Sequence, residues 1–184
     1  MLHIYYKLKI LIMIKQASQS SIRVPKTLAG ETVTKLTDRL KDEYTAHFFY
    51  RNATNWCANE GYVKAAAFFS EEADAELEHA KGIQKYLVDW NLYPTMPAVK
   101  PTIQFANLID IINKAYALEY SLFDAYTKDS ADLFATDLNT FDFLTGYRTI
   151  QTQSVIEYSD LLNAANLINV ENNFEVLYFE GKYF

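Results

Sequence analysis

An apolar stripe with the spacing of an α-helix runs from residue 69 to residue 90, and it includes one glutamate, Glu76. Its members recur in steps of three and four: Phe69, Ala73, Glu76, Ala80, Ile83, Leu87 and Trp90. A stripe of this kind is the side that a helix buries in a bundle. A carboxylate in that position is unfavourable by several kcal/mol unless it is paired or bound to a metal ion, so the chain should supply partners for Glu76.

His79 is the first such partner. It follows Glu76 by three residues, a spacing that puts two side chains on one face of a helix. The segment 70–81 contains no Gly or Pro and is rich in Ala and Glu, which favours helix. A carboxylate and an imidazole on one helix face can hold a metal ion together.

Three further segments have apolar stripes of the same kind, and each stripe includes one polar residue that can bind a metal. These residues are Glu43, Glu119 and Gln151. The four predicted helices cover about residues 30–59, 62–90, 105–129 and, after a break near residues 137–140, a segment that ends near residue 166. Gly61 is a suitable stop for the first helix because glycine adopts the left-handed conformation without strain. The short link there makes the first two helices antiparallel neighbours.

Residues 91–105 connect the second helix to the third and contain Pro94, Pro97 and Pro101. So many prolines in a short segment exclude a regular helix and favour an extended path. An extended segment of this length spans roughly 45 Å, the length of a helix of about 30 residues. The connection can therefore return along the whole bundle. We predict an all-α, up-down-down-up four-helix bundle with one long crossover between the second and third helices.

Composition narrows the possible partners and locations. The chain has 184 residues, enough for one domain with a sizeable core. Its net charge of -6 disfavours nucleic acid as a partner. A single cysteine, Cys57, argues against a disulfide framework and fits a reducing cytoplasm. No stretch approaches 18 uninterrupted apolar residues, so we expect neither a transmembrane helix nor a membrane partner.

The N-terminal residues 1–26 form a separate extension, and we assign the folded domain to residues 27–184. Residues 1–14 are apolar and basic, which partly fits a short secretory signal or membrane anchor, but Lys7 and Lys9 interrupt the apolar part. A start site at Met13 is an alternative that would make the first 12 residues an artefact or a disordered tail.

The inward-facing polar groups together fit a carboxylate site for two metal ions. In such bundles two helices each give a glutamate and the other two each give Glu-x-x-His. Here the fourth helix offers Gln151-x-x-Ser154 instead. We expect Glu43, Glu76 and His79 to hold one ion, and Glu76, Glu119 and perhaps Gln151 to hold a second ion loosely. Iron suits these oxygen and nitrogen ligands, although Mn or Zn would also bind. For any single residue, a hydrogen-bonded core position is the competing interpretation.

Several short segments support a resemblance to a known family. They are residues 43–50, Trp56-Cys57, Gly61, Ala65-Ala66, Glu76-Leu-Glu-His79, the Pro-rich crossover, Tyr116-x-x-Glu119 and Thr140-Phe-Asp-Phe-Leu144-x-x-Tyr147. Over roughly residues 30–184 the chain resembles a non-haem bacterial ferritin. The resemblance implies a ferritin-like four-helix bundle with a short fifth helix, usually assembled into a cage of twenty-four subunits.

The same resemblance implies a function and a site. Family members are ferroxidases that oxidise Fe(II) with dioxygen or peroxide and store the ferric mineral inside the cage. The implied ferroxidase centre, with a nearby tyrosine, comprises Glu43, Glu76, His79, Glu119, Gln151 and Tyr50. The acids that build a third iron site in some members are replaced here, so we expect no third site; the replacements are Ala75, Ile150, Gln153 and Ser154.

Two alternatives and one residue stay open at this point. The chain could be a ferritin-like di-iron oxidase that stores no mineral, or a DNA-protecting mini-ferritin or metal-free bundle. The size of the assembly and the iron retained per subunit separate the first alternative from storage.

His47 lies one turn after Glu43 on the same stripe. We expect a core histidine hydrogen-bonded to a neighbouring side chain, with a role as an extra ligand or supporting group as the alternative.

Overall fold

A computed structural model of the protein describes residues 25–99 and 104–184. Almost all of the N-terminal extension predicted for residues 1–26, including the possible signal and the possible start at Met13, lies outside the described residues. The middle of the Pro-rich crossover, around Pro101, also lies outside them.

The described part of the chain contains five helices and no strand. They are α1 (Gly30–Glu60), α2 (Val63–Asp89), α3 (Leu108–Leu133), α4 (Leu138–Ala165) and α5 (Asn173–Tyr183). Gly61 ends α1 with φ of 88°, the left-handed conformation predicted for it. None of these helices combines the length and the apolar character that a membrane span requires.

Side-chain caps set the starts of the later helices. The side chain of Asn107 accepts a hydrogen bond from the backbone N–H of Asp110, so α3 begins three residues later than the sequence predicted. Asp137 caps α4 in the same way by accepting from the backbone N–H of Thr140. Asn172 caps α5, which is the short fifth helix that the resemblance implied.

Hydrogen bonds between helices establish the directions of the four long helices. The bonded pairs are Tyr44–Gln84 and Arg51–Ser70 between α1 and α2, Glu43–Tyr126 and Tyr50–Glu119 between α1 and α3, and His79–Tyr147 and Tyr86–Thr140 between α2 and α4. In each set the residue numbers rise along one helix and fall along the other, so the helices run antiparallel. Since α2 and α3 are both antiparallel to α1, they are parallel to each other. The predicted up-down-down-up topology is confirmed.

The short helix α5 closes one end of the bundle. Its Phe179 is fully buried, and its Glu180 is only 5% exposed. The carboxylate of Glu180 accepts hydrogen bonds from the backbone N–H groups of Lys64 (2.6 Å) and Ala65 (3.0 Å). These are two of the donors that the first turn of α2 leaves without an intrahelical partner. The positive end of the dipole of α2 also attracts this carboxylate. Glu180 thus links α5 to the beginning of α2.

We predict that Glu180→Ala destabilises the protein by about 1–2 kcal/mol, because it leaves two N–H donors of α2, of which that of Ala65 is buried, without their acceptor. Glu180→Gln keeps an acceptor oxygen and should lose less. Urea unfolding followed by circular dichroism measures both changes. An alanine variant as stable as the parent would show that the cap contributes nothing.

Candidate metal centre

Four polar side chains lie in the middle of the bundle core, one from each long helix. Glu43 on α1, Glu76 on α2, Glu119 on α3 and Gln151 on α4 are each no more than 3% exposed. Each belongs to the apolar stripe of its helix, which explains why packing carries all four inward. The structure therefore brings into one core the acids and the amide that the sequence placed on four separate stripes.

Glu43, Glu76 and His79 form the tightest cluster of possible metal ligands. One ligand atom from each lies within 4.8 Å of the others. The Nδ1 atom of His79 is 3.0 Å from Oε2 of Glu76 and 3.4 Å from Oε2 of Glu43. Glu119 is not part of this tightest group, but its charge acts on Glu76 within the same core. The centre thus has two parts. The first is the compact cluster of Glu43, Glu76 and His79, and the second consists of Glu119 and Gln151.

Three oxygen atoms around the centre have no hydrogen-bond donor. They are Oε2 of Glu43, Oε2 of Glu119 and Oε1 of Gln151, and all three are buried. A buried acceptor without a donor is unfavourable by about 1–3 kcal/mol, so proteins rarely retain several in one place without a function. The three atoms come from three helices, and the fourth helix contributes His79. This set of donor atoms fits hard or borderline divalent cations.

Burial and mutual repulsion distribute protons unequally over the cluster. Burial alone would raise the pKa of Glu43, but the neighbouring His79 and Glu76 hold that pKa below its usual value. Burial raises the pKa of Glu76 well above its usual value, and Glu43 adds to this effect. Burial would lower the pKa of His79, but the two carboxylates outweigh it and raise that pKa to about 10. These opposite shifts mean that His79 and Glu76 hold their protons more readily than usual, whereas Glu43 gives up its proton more readily than usual.

Glu119 differs in its protonation from the other acids. Burial raises the pKa of Glu119 to about 7, although a hydrogen bond from Tyr50 acts in the opposite direction. A carboxyl with this pKa changes its charge within the physiological range. The second part of the centre therefore carries a partial negative charge at neutral pH when no cation is bound.

Two buried tyrosines donate hydrogen bonds to two of the acids. The hydroxyl of Tyr50 donates to Oε1 of Glu119, as expected for a tyrosine near the site. The hydroxyl of Tyr126 donates to Oε1 of Glu43. The sequence analysis gave Tyr126 no role at the site. The available signal was its position seven residues after Glu119, which matches that of Tyr50 after Glu43.

A close contact between α2 and α4 supports the backbone at His79. The hydroxyl of Tyr147 donates a hydrogen bond of 3.0 Å to the carbonyl oxygen of His79. Tyr147 reaches this position because Gly82 has no side chain, and a Cβ atom at Gly82 would overlap the tyrosine hydroxyl. The absence of a side chain at Gly82 thus leaves room for the Tyr147 hydroxyl beside the backbone of His79.

His47 does not join the ligand cluster. Its Nδ1 atom lies 2.6 Å from the carbonyl oxygen of Ala73, to which it donates a hydrogen bond. The expected hydrogen bond is present, but the imidazole is half-buried rather than in the core, and its partner is a main-chain group rather than the predicted neighbouring side chain. The distance between His47 and the cluster follows from their places on α1, because His47 faces the groove between α1 and α2 one turn beyond Glu43.

The positions where we expected no third metal site carry no acid. Ala75 and Gln153 are exposed, and Ile150 is 39% exposed. The hydroxyl of Ser154 donates to the carbonyl oxygen of Ile150 within its own helix. The absence of a third site stays a prediction.

Comparison with known proteins relates this geometry to a family. The family model of the ferritin-like domain matches residues 33–168, most of the chain. A bacterial non-haem ferritin of Campylobacter jejuni is 27% identical over 148 residues, which are 79% of this chain and 89% of the relative. The ferritin of the green alga Ulva pertusa has a TM-score of 0.80 at 19% identity and covers 94% of this chain and 95% of its own.

An open pore ferritin of the archaeon Archaeoglobus fulgidus has a TM-score of 0.79 at 15% identity, over 85% of this chain and 96% of its own. At such identities the likeness shows the fold, which confirms the predicted four-helix bundle with a short fifth helix. The resemblance to non-haem bacterial ferritins, read from short segments of sequence, is confirmed by the family match and by the named relatives. This chain belongs to the ferritin-like family.

Proposed function

We propose that this protein is an iron-storage ferritin with ferroxidase activity, in which each subunit oxidises Fe(II) at a two-metal centre and passes the ferric product to a stored mineral. The observation that carries the proposal is the set of buried oxygen atoms without donors beside His79, with one ligand group from each long helix. Iron here is the substrate and the cargo. The family match and the names of the curated relatives support the same function.

The residues of the centre would divide between two ions. Glu43, Glu76 and His79 hold the first ion, and their close grouping supports this role. Glu76 also reaches the second ion, which Glu119 and Gln151 hold. Two Fe(II) ions held side by side can each give an electron to dioxygen or peroxide. Tyr50 fixes Glu119 through its hydrogen bond.

The second ion should be held more weakly than the first. Gln151 offers a neutral amide oxygen where a carboxylate would bring a charge, and Ser154 is turned to its own helix backbone. The pKa of Glu119, about 7, also means that part of the population must lose a proton before a cation binds. A weakly held ion suits a protein that oxidises iron and releases it to a mineral.

Storage requires an assembly, and we propose a homo-oligomeric cage, with twenty-four subunits as the family would suggest. The outer side of α5 supports an assembly because it exposes several large apolar side chains, namely Phe174, Leu177 and Tyr178. Exposed apolar clusters of this kind mark contact surfaces. We also propose a cytoplasmic location, which fits the single cysteine, Cys57, buried and without a disulfide.

The ligand assignment predicts that Glu76→Ala and His79→Ala each abolish the fast phase of Fe(III) formation after aerobic addition of Fe(II). We expect an initial rate at least about tenfold below that of the parent, since each change removes a ligand of the first ion. Glu78→Ala is the matched control, because Glu78 is exposed on the same helix. Parent rates in both variants, measured by ultraviolet absorbance, would refute the assignment.

The protonation of the empty cluster predicts that metal binding releases protons. At pH 7 we expect about one proton per subunit from His79, whose pKa is about 10, when Zn(II) fills the centre, and a further contribution from Glu76, whose pKa is also raised. Because protons compete with the cation below these pKa values, Zn(II) affinity should fall as the pH falls. Titration in a weakly buffered solution with a pH indicator measures the release. A release near zero, with tight Zn(II) binding, would contradict the proposed protonation.

Storage itself predicts a large particle that retains far more iron per subunit than the two-metal centre can hold. Gel filtration followed by an iron assay on the protein peak measures both quantities. A small oligomer that retains only the iron of its centre would favour the alternative, a ferritin-like di-iron oxidase without mineral.

A further inference from the structure

The two tyrosines at the centre form a crossed pair of hydrogen bonds. Tyr50 follows Glu43 by seven residues on α1, and Tyr126 follows Glu119 by seven residues on α3. Since α1 and α3 are antiparallel, each tyrosine lies opposite the glutamate of the other helix. Tyr50 donates to Glu119, and Tyr126 donates to Glu43. The same spacing on both helices makes the two halves of this arrangement equivalent.

The crossed bonds divide the two oxygen atoms of each carboxylate between two tasks. In both glutamates the tyrosine binds Oε1. In both, Oε2 is the buried atom that has no donor. In such a carboxylate one lone pair of Oε1 is used by the phenol, so Oε2 is the oxygen that is more available to a cation. The pattern is the same in Glu43 and Glu119, although their helices differ in the rest of their sequence.

Packing holds Tyr126 rigidly in this position. Its side chain is fully buried, and its ring stacks on that of Tyr147, with 5.3 Å between the ring centroids and 18° between the ring planes. The guanidinium carbon of Arg39 also packs on Tyr126, 5.7 Å from its ring centroid. Tyr147 is in turn bonded to the His79 carbonyl. Tyr126 therefore contacts both Glu43, a proposed ligand of the first ion, and Tyr147, which supports the backbone of the proposed ligand His79.

A buried tyrosine hydroxyl needs a hydrogen-bond partner, and a nonspecific core position could satisfy it with any carbonyl. The structure instead directs both hydroxyls to carboxylates of the centre. We propose that Tyr126 is a positioning residue that holds Oε1 of Glu43, so that Glu43 presents Oε2 to the first metal ion. This inference rests on the proposed two-metal centre and extends it to a residue outside the ligand set.

The test is Co(II) binding by the full-length protein under anaerobic conditions, with the parent compared to Tyr126→Phe. The variant keeps the stacked ring and loses only the hydroxyl. We expect first-site affinity to fall by about tenfold, as is common when a group that orients a metal ligand is removed. The visible spectrum of bound Co(II), which reports coordination geometry, should also change because Glu43 is free to turn.

Tyr86→Phe is the matched control. Tyr86 is also a tyrosine on the bundle, and its hydroxyl lies 3.0 Å from the hydroxyl of Thr140, away from the ligand cluster. Its variant should bind Co(II) with the affinity and spectrum of the parent. A purely structural role for Tyr126 would lower the melting temperature of the metal-free variant and leave the Co(II) spectrum unchanged.

The outcomes separate this inference from the proposed function. If the parent binds Co(II) at the centre and Tyr126→Phe gives the same affinity and spectrum, the positioning role is wrong while the metal centre stands. If the parent binds no Co(II), the metal centre is wrong, and the inference falls with it. Should the variant fail to fold, Zn(II) binding to the parent tests the same bond. A tyrosine difference band in the ultraviolet is then expected, and its absence would overturn the role.

Discussion

The constraint on which the rest of this structure depends is a shortage of positive charge in the core. Glu43, Glu76 and Glu119 are buried at the candidate centre, and His79 is the cationic side chain that lies against Glu43 and Glu76 there. Water cannot solvate these groups, so the protein either neutralises them with protons or compensates them with cations. The raised pKa values of Glu76 and Glu119 show the first solution. Divalent ions would supply the second.

Hydrogen bonds hold the acids in place while no cation is present. Tyrosines from α1 and α3 each bind one carboxylate oxygen, and His79 lies between two others. Glu43 and Glu119 each still keep one oxygen that no donor satisfies. The metal-free core thus keeps binding capacity at the expense of some stability, a balance that functional sites commonly show.

The sequence predicted the fold well because each long helix has one clear apolar stripe, and it predicted which acids turn inward for the same reason. The periodicity of apolar residues shows which face of a helix is buried, but it does not show which atom of a neighbouring helix a given side chain contacts. This is why the main-chain partner of His47 and the hydrogen bond of Tyr126 were not foreseen. The start of α3 depended on a single cap at Asn107, which the stripe does not encode. Ligand roles and the cage stay proposals.

Gly82 lies within α2, far from a turn, where glycine normally weakens a helix. A glycine here leaves space for a neighbouring residue, because the hydroxyl of Tyr147 occupies the volume that a side chain at position 82 would need. The contact between α4 and the backbone of His79, beside the proposed metal centre, therefore depends on the absence of a side chain at Gly82. Mutational surveys that look only at ligands would pass over this position. Selection on packing and selection on catalysis should act on it as one.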